Sequence, residues 1–300
     1  MSTSRIQAAA TAAILAIAAL AATPARADGH YTAGVEGMQG PSVPPPGLYY
    51  VGYLVDYDGK TVRAPGTTSA LPGTNTIKVA ALANRLVWMT GAKFLGADYG
   101  VEGIVPLLHT RVDIQAAGVR DSRGGVGDIY VGPLVLGWHG ASWDAVAAAG
   151  EWLDNGSHDQ PASAGKGFKS TMLTLGGTWY ADAAHTLHVS ALTRYEFNGR
   201  ADSGLRPGDQ LTLEWGVGKG LGPVTLGLVG YQQRQVGHDA GPGATGQRMS
   251  RQAIGAELAA PVPPLGALLK AAFYDEYRVA GGGGAEPRGN ELRVTLVKPF

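Results

Sequence analysis

Between Leu187 and Asn198 the chain changes character almost residue by residue: Leu187, Val189, Ala191, Tyr195 and Phe197 alternate with His188, Ser190, Arg194, Glu196 and Asn198. A period of two puts the two sets on opposite faces of an extended strand, so the strand must lie between two different solvents. The same grammar recurs in Leu211, Leu213, Trp215 and Val217 against Gln210, Thr212 and Glu214, and in Leu292, Val294 and Leu296 against Glu291, Arg293 and Thr295. Tyr49, Val51, Tyr53, Val55 and Tyr57 alternate with Tyr50, Gly52, Leu54 and Asp56. Marking each run predicts about twelve strands, near 48–57, 76–90, 96–110, 127–137, 143–153, 170–181, 185–198, 209–218, 223–236, 248–260, 266–279 and 290–300. Most run to about ten to fifteen residues, longer than the five or six usual in soluble sheets and enough to cross a bilayer at a tilt. The runs at 76–90, 127–137 and 248–260 alternate too weakly to assign faces, although Arg85 and Asn84 cannot both face inward.

The connections fall into two kinds. Those at 91–95, 138–142, 182–184, 219–222 and 261–265 are short, whereas those at 58–75, 116–126, 154–169, 199–208, 237–247 and 280–289 are mostly longer and polar. Short turns at one end and long loops at the other are the wiring of an outer-membrane barrel, and an even strand count returns both termini to the periplasmic side. Closure follows from the solvent, because an unpaired backbone group in hydrocarbon costs several kcal/mol and a spanning sheet cannot keep an edge. The expected fold class is therefore all-β: a transmembrane antiparallel up-and-down barrel with long extracellular loops and short periplasmic turns. Tyr49, Trp88, Trp138, Trp143, Trp179 and Phe300 gather at the short-turn end, and Tyr57, Trp152, Tyr195, Phe197 and Tyr277 toward the other, as two interfacial girdles would.

The beginning of the chain reads as an address. Arg5 precedes an apolar run from Ala8 to Ala22, and Ala25-Arg26-Ala27 supplies a small-x-small cleavage pattern, so export with cleavage between Ala27 and Asp28 is expected. Beyond residue 27 no apolar run is long enough for a helical span. Removing Arg5 and Arg26 leaves 22 basic against 24 acidic residues, which gives no basic field to collect nucleic acid. With no Cys there is no disulfide framework, thiolate nucleophile or sulfur-ligated zinc. Three units result: a signal peptide (1–27), a Gly/Pro-rich segment (28–47) that is a candidate plug, and the barrel (48–300).

Motifs for catalysis or metal binding are weak. His185 and His188 are three apart and fall on opposite faces of a strand, and the other His residues belong near loops or turns, so neither metal nor cofactor is expected. His188 and Ser190 share a face, a relation that resembles the outer-membrane phospholipase, but Ala191 and Leu192 replace the Asn-Gly that follows its Ser, and the alternation sends the pair into the lumen. No catalytic residue is assigned. Gly281 to Gly284 lack the Lys-Ser or Lys-Thr of a phosphate loop, and Asp154, Asp159 and Asp239 lack calcium-loop spacing. The informative set is the charges within strands: Glu102, Glu151, Arg194, Glu196, Glu214, Arg251, Glu257, Lys270, Glu276, Arg278, Glu291 and Arg293. Against lipid, Arg or Lys would cost about 2–4 kcal/mol at midplane, so all twelve are expected to line the lumen, as a salt-bridged filling or a narrow selective path.

Several stretches together resemble a family of outer-membrane transporter-like proteins named for a putative MetA pathway of phenol degradation, also described as SphA-like. They are Pro44-Pro45-Pro46-Gly47-Leu48-Tyr49-Tyr50, Gly127-Asp128-Ile129-Tyr130-Val131-Gly132-Pro133-Leu134-Val135-Leu136-Gly137-Trp138-His139, Tyr195-Glu196-Phe197-Asn198, and Gly227 through Gln235 followed by Asp239. Phe300, ending an alternating strand, resembles the signal that hands such barrels to their assembly machinery, with Lys298 as a departure from it. The resemblance implies a barrel in the cell outer membrane, in contact with its lipids, serving passive uptake of small hydrophobic or aromatic compounds. It brings no catalytic or binding residues. A lipid hydrolase, or a structural or adhesive barrel without transport, is the alternative reading.

Overall fold

The structure, a computed structural model, describes residues 29–300, so the signal peptide and the Ala27/Asp28 junction lie outside the described residues. The strands are β1 (Gly47–Arg63), β2 (Asn75–Phe94), β3 (Ala97–Ile114), β4 (Val119–Val126), β5 (Tyr130–His139), β6 (Trp143–Trp152), β7 (Ser170–Tyr180), β8 (Leu187–Asn198), β9 (Gln210–Leu221), β10 (Val224–Gln235), β11 (Ser250–Val262), β12 (Ala267–Ala280) and β13 (Glu286–Pro299). Successive strands pair antiparallel, and β13 returns to β1 from Tyr49↔Pro299 up to Arg63↔Glu286, which closes the sheet. β4 pairs with the outer half of β3 (Leu107 to Ile114) and β5 with its inner half (Asp98 to Ile104), so the two form one stave broken at 127–129. Thirteen strands with two sharing a stave make a twelve-staved barrel.

The stave break corrects one expectation. Residues 116–126 are not a loop: a 3-10 turn (Gln115–Ala117) and Gly118 at φ 65° reverse the chain, and β4 runs back along β3. Arg111, Asp113, Arg120, Asp121 and Arg123 lie along this hairpin with exposed ion pairs, Arg120 to Asp113 at 2.8 Å and Arg123 to Asp121 at 2.9 Å. The hairpin stands beyond the lipid belt, so its outer face is wet and the apolar alternation that marks a spanning strand is lost.

Below it the outer surface is apolar: Leu54, Leu82, Leu86, Leu175, Val189, Leu228, Ile254, Phe273 and Leu292 are all exposed. Trp88, Trp143, Trp179 and Phe300 are exposed at the short-turn end, and Phe197 and Tyr277 toward the other. A closed barrel with an apolar belt is a protein of the outer membrane. Three expected girdle aromatics face inward instead. Tyr57 and Trp152 are buried, and Tyr49 points its hydroxyl to Pro45 O at 2.9 Å. On β1 it is the aromatic set that faces the lumen, because aromatic and apolar residues serve either a lipid face or an apolar interior.

A stretch of chain runs inside this barrel. Residues 29–46 start beside Glu196 and Asp128 near the long loops and descend to β1 at the short-turn end. Being neither helix nor strand, the segment must find partners for its backbone. The wall supplies them: Gln233 donates to Tyr31 O at 3.0 Å, Arg293 to Gly34 O at 2.5 Å, and Lys270 to Glu36 O and Met38 O at 2.9 and 2.7 Å. In the other direction the Glu196 carboxylate accepts from His30 N and Tyr31 N, and Glu214 from Glu36 N and Gly37 N. Inward glycines make the room. A Cβ on Gly216 would stand 3.0 Å from Met38 Cα, and one on Gly137 2.8 Å from Val43 Cβ.

Candidate functional site: a lumen divided into two cavities

The inner faces of the staves are of two kinds. On β8 and β9 they present His188, Ser190, Arg194 and Glu196, and Gln210, Thr212 and Glu214, all buried. On β2 and β3 they present Ile77, Val79, Ala81 and Ala83, and Ile104, Pro106, Leu108, Val112 and Ile114. The segment and the ion pairs occupy the polar side. The apolar side holds a cavity of about 770 Å³, whose mouth is bordered by Pro161, Ala164, Thr245 and Ala285 of the long loops. A second cavity of about 240 Å³ lies toward the short turns, among Val43, Tyr49, Val87, Val135, Ala148 and Leu192. Val35, Glu36 and Tyr53 line both, so the partition between them is part of the inserted segment and one wall tyrosine.

Glu36 is the polar centre of that partition. Its Oε1 lies 2.7 Å from Arg194 Nη2 and 3.1 Å from Arg85 Nη1, and its Oε2 accepts from Tyr53 OH at 3.4 Å. Arg85 also donates to Tyr53 OH at 3.0 Å and to Glu102 Oε2 at 2.6 Å. Burial alone would raise the Glu36 carboxyl, yet the Arg194 and Arg85 guanidiniums outweigh it and hold the group at about 2. Glu36 is therefore a carboxylate at any ordinary pH. Arg194 stacks over the Tyr31 ring at 4.1 Å.

Ten of the twelve sequence-selected charges have their side chains on the inner side. Glu102 pairs with Arg85, Arg194 with Glu36, Arg293 and Lys270 with Glu257, and Arg251 with Glu276 at 3.1 Å. Glu196 and Glu214 hold the segment, and Glu291 is buried beside Gly34. Glu151 and Arg278 are exposed on the outside, against expectation. Glu151 is the penultimate residue of β6, where a charge reaches the interface and costs about 0–1 kcal/mol. For Arg278 the reason is a bulge: Gln252↔Arg278 is followed by Ala253↔Glu276, so Tyr277 is an extra residue and the strand's parity inverts beyond Glu276. Of the two candidates on β2, Arg85 faces in, and Asn84 accepts from Tyr50 OH at 2.8 Å on the outside.

Four functional features escaped the sequence reading. His30, grouped with loop histidines, is buried: its ring stacks on Trp152 at 5.6 Å between centroids, with Nε2 3.2 Å from Asp128. Asp128 also accepts from the backbone of Asn155, Gly156 and Lys166, which anchors the loop between β6 and β7. Glu36 and Arg85 carry no periodic signal, since Glu36 lies outside every strand and β2 is apolar on both faces. Tyr231, within the Gly227–Gln235 stretch, is buried and donates to Glu276 at 3.0 Å. His188 and Ser190 are buried inside, where the Ser190 hydroxyl accepts from Gln39 N at 3.2 Å.

With the geometry in place, the family model described as "Putative MetA-pathway of phenol degradation" matches residues 59–285. The chain belongs to this family. Among solved structures it resembles the COG4313 outer membrane channel from Pseudomonas putida F1, with a TM-score of 0.74 and 12% identity over 90% of this chain and 100% of that one. It also resembles the transport unit of the autotransporter AIDA-I from Escherichia coli, with a TM-score of 0.50 and 10% identity over 96% and 97% of the two chains. At these identities the likeness concerns the fold. No curated protein sequence matches the chain.

Proposed function

We propose that this barrel carries small hydrophobic or aromatic molecules passively across the outer membrane, with no chemical step. The observation that supports it best is the cavity of about 770 Å³ inside the lumen, lined along β2 and β3 by aliphatic side chains and along β1 by Tyr53, Val55 and Tyr57. A barrel that only needed stability would fill that volume, since interiors close-pack and voids cost stability. Residues 29–46 act as the plug in this reading: the inner cavity connects to the outer one once the partition at Val35, Glu36 and Tyr53 moves. Family membership and the likeness to an outer membrane channel support the same reading. Phe300, exposed at the end of β13 with its amide donating to Leu48 O at 2.9 Å, is the handle for the assembly machinery. A lipid-hydrolase role gains no support from His188 and Ser190, which do not face lipid. The test is uptake of toluene or phenol by proteoliposomes containing the purified protein. Entry faster than into empty vesicles is expected, and equal rates would overturn the proposal.

A further inference from the structure

Arg85, Arg194 and the Tyr53 hydroxyl converge on one carboxylate, and that carboxylate comes from the chain itself. We propose that this cluster is a carboxylate-binding site which Glu36 occupies as an internal stand-in, and that small aromatic carboxylates displace Glu36 from it and so release the plug.

The inference rests on the channel reading above and names a solute class for it. Two guanidiniums and a phenol hydroxyl aimed at a single group make a built anion site. Glu36 is the only carboxylate within ion-pair distance of Arg194 among the described residues, and Arg194 Nε and Nη1 have no hydrogen-bond partner there although the side chain is only 8% exposed. The site therefore has donors to spare for a second carboxylate. Nearby carboxylates are otherwise engaged: Glu214 accepts from Tyr31 OH and two backbone amides, and Glu102 from Arg85.

Position gives the site its chemistry. Glu36 and Tyr53 also border the large apolar cavity, so a molecule whose ring lies among Val55, Val79, Ala81 and Ile104 can present its acid group to the partition. Exchanging one carboxylate for another keeps the arginines paired, which avoids the large penalty of a lone buried charge. The internal carboxylate has the advantage of its tether, a high effective concentration that a free solute offsets only by burying apolar surface as well. The mechanism thus selects molecules that are both apolar and acidic.

The experiment uses full-length protein in detergent, with calorimetric binding of benzoate and of neutral benzyl alcohol at neutral pH, and vesicle flux of both. Glu36→Gln removes the competing charge and should bind benzoate about tenfold or more tighter than wild type, with benzyl alcohol little changed. Adding Arg194→Gln should abolish that gain; should that variant not fold, Arg194→Lys, which keeps charge but gives up the planar fork, should reduce it. Benzoate binding equally to wild type and Glu36→Gln, or retained in full by the Arg194 variant, overturns the proposal. If benzyl alcohol permeates and benzoate shows no such dependence, the carboxylate site falls while the channel stands. If neither solute permeates in any variant the channel reading fails, and the binding data still decide the site.

Discussion

Gly216 offers a direct lever on the inserted segment. Its side of β9 faces the lumen, and the three nearest atoms to an added Cβ all belong to Met38: Cα at 3.0 Å, Cγ and N at 3.3 Å. Alanine needs only a few tenths of an ångström, which the segment can yield. Valine and then leucine place further heavy atoms where the Met38 backbone lies, and overpacking of that kind costs about 1–3 kcal/mol. Charged against docking of the segment, that shifts the docked-to-free ratio by about 5- to 150-fold. Single-channel recording should show open probability rising in the order Gly216→Ala, Gly216→Val, Gly216→Leu. Gly177→Leu, whose side chain would face lipid with only Asp144 O nearby at 3.4 Å, should behave as wild type. If Gly216→Leu folds, judged by compact migration until boiled, yet opens no more often than wild type, the segment is not what closes the lumen.

Other predictions follow from the charges, the loops and the cavity wall. Because Glu36 is held at about 2 against an ordinary 4.5, its ionic contribution to docking is complete above about pH 4.5 and fades as pH falls toward 2; channel opening should be flat from pH 7 to 5 and rise only in that acid window. A rise centred near neutrality would contradict it. Asp128→Ala removes the acceptor for three loop amides and the partner of His30, so limited trypsin treatment should cut at Lys166 or Lys169 where wild type resists. Arg293→Met leaves the buried Glu257 with Lys270 alone and should destabilise the barrel by about 3–5 kcal/mol in urea unfolding. Ala81→Trp should reduce toluene flux without preventing barrel formation; undiminished flux would place the solute path elsewhere.

Much of this architecture was legible because lipid and water stamp opposite demands on a strand. From Leu187 to Asn198, and again along β9 and β13, the alternation states both faces, and the buried charges on those strands follow from it. Legibility fails where the two solvents stop differing. β2 alternates poorly because its inner residues Ile77, Val79, Ala81 and Ala83 line an apolar cavity while Leu82 and Leu86 meet lipid. β4 was hidden for the opposite reason, being wet outside. Arg278 was misplaced by one extra residue, Tyr277, that no period can foresee. The path of residues 29–46 has no local signature, although inward glycines such as Gly137 and Gly216 mark where the inserted segment approaches the wall.

Because the chain has no cysteine, thiol labelling can report whether apolar solutes occupy the lumen beside β2. Single cysteines at Ala81 and Leu82 would probe adjacent residues on opposite faces, and a water-soluble thiol reagent would be applied from outside with and without toluene. The Ala81→Cys thiol should be labelled and toluene should protect it, while the Leu82→Cys thiol, facing lipid, should be neither labelled nor affected. Labelling at Leu82→Cys instead, or an Ala81→Cys thiol that toluene leaves unprotected, would contradict this.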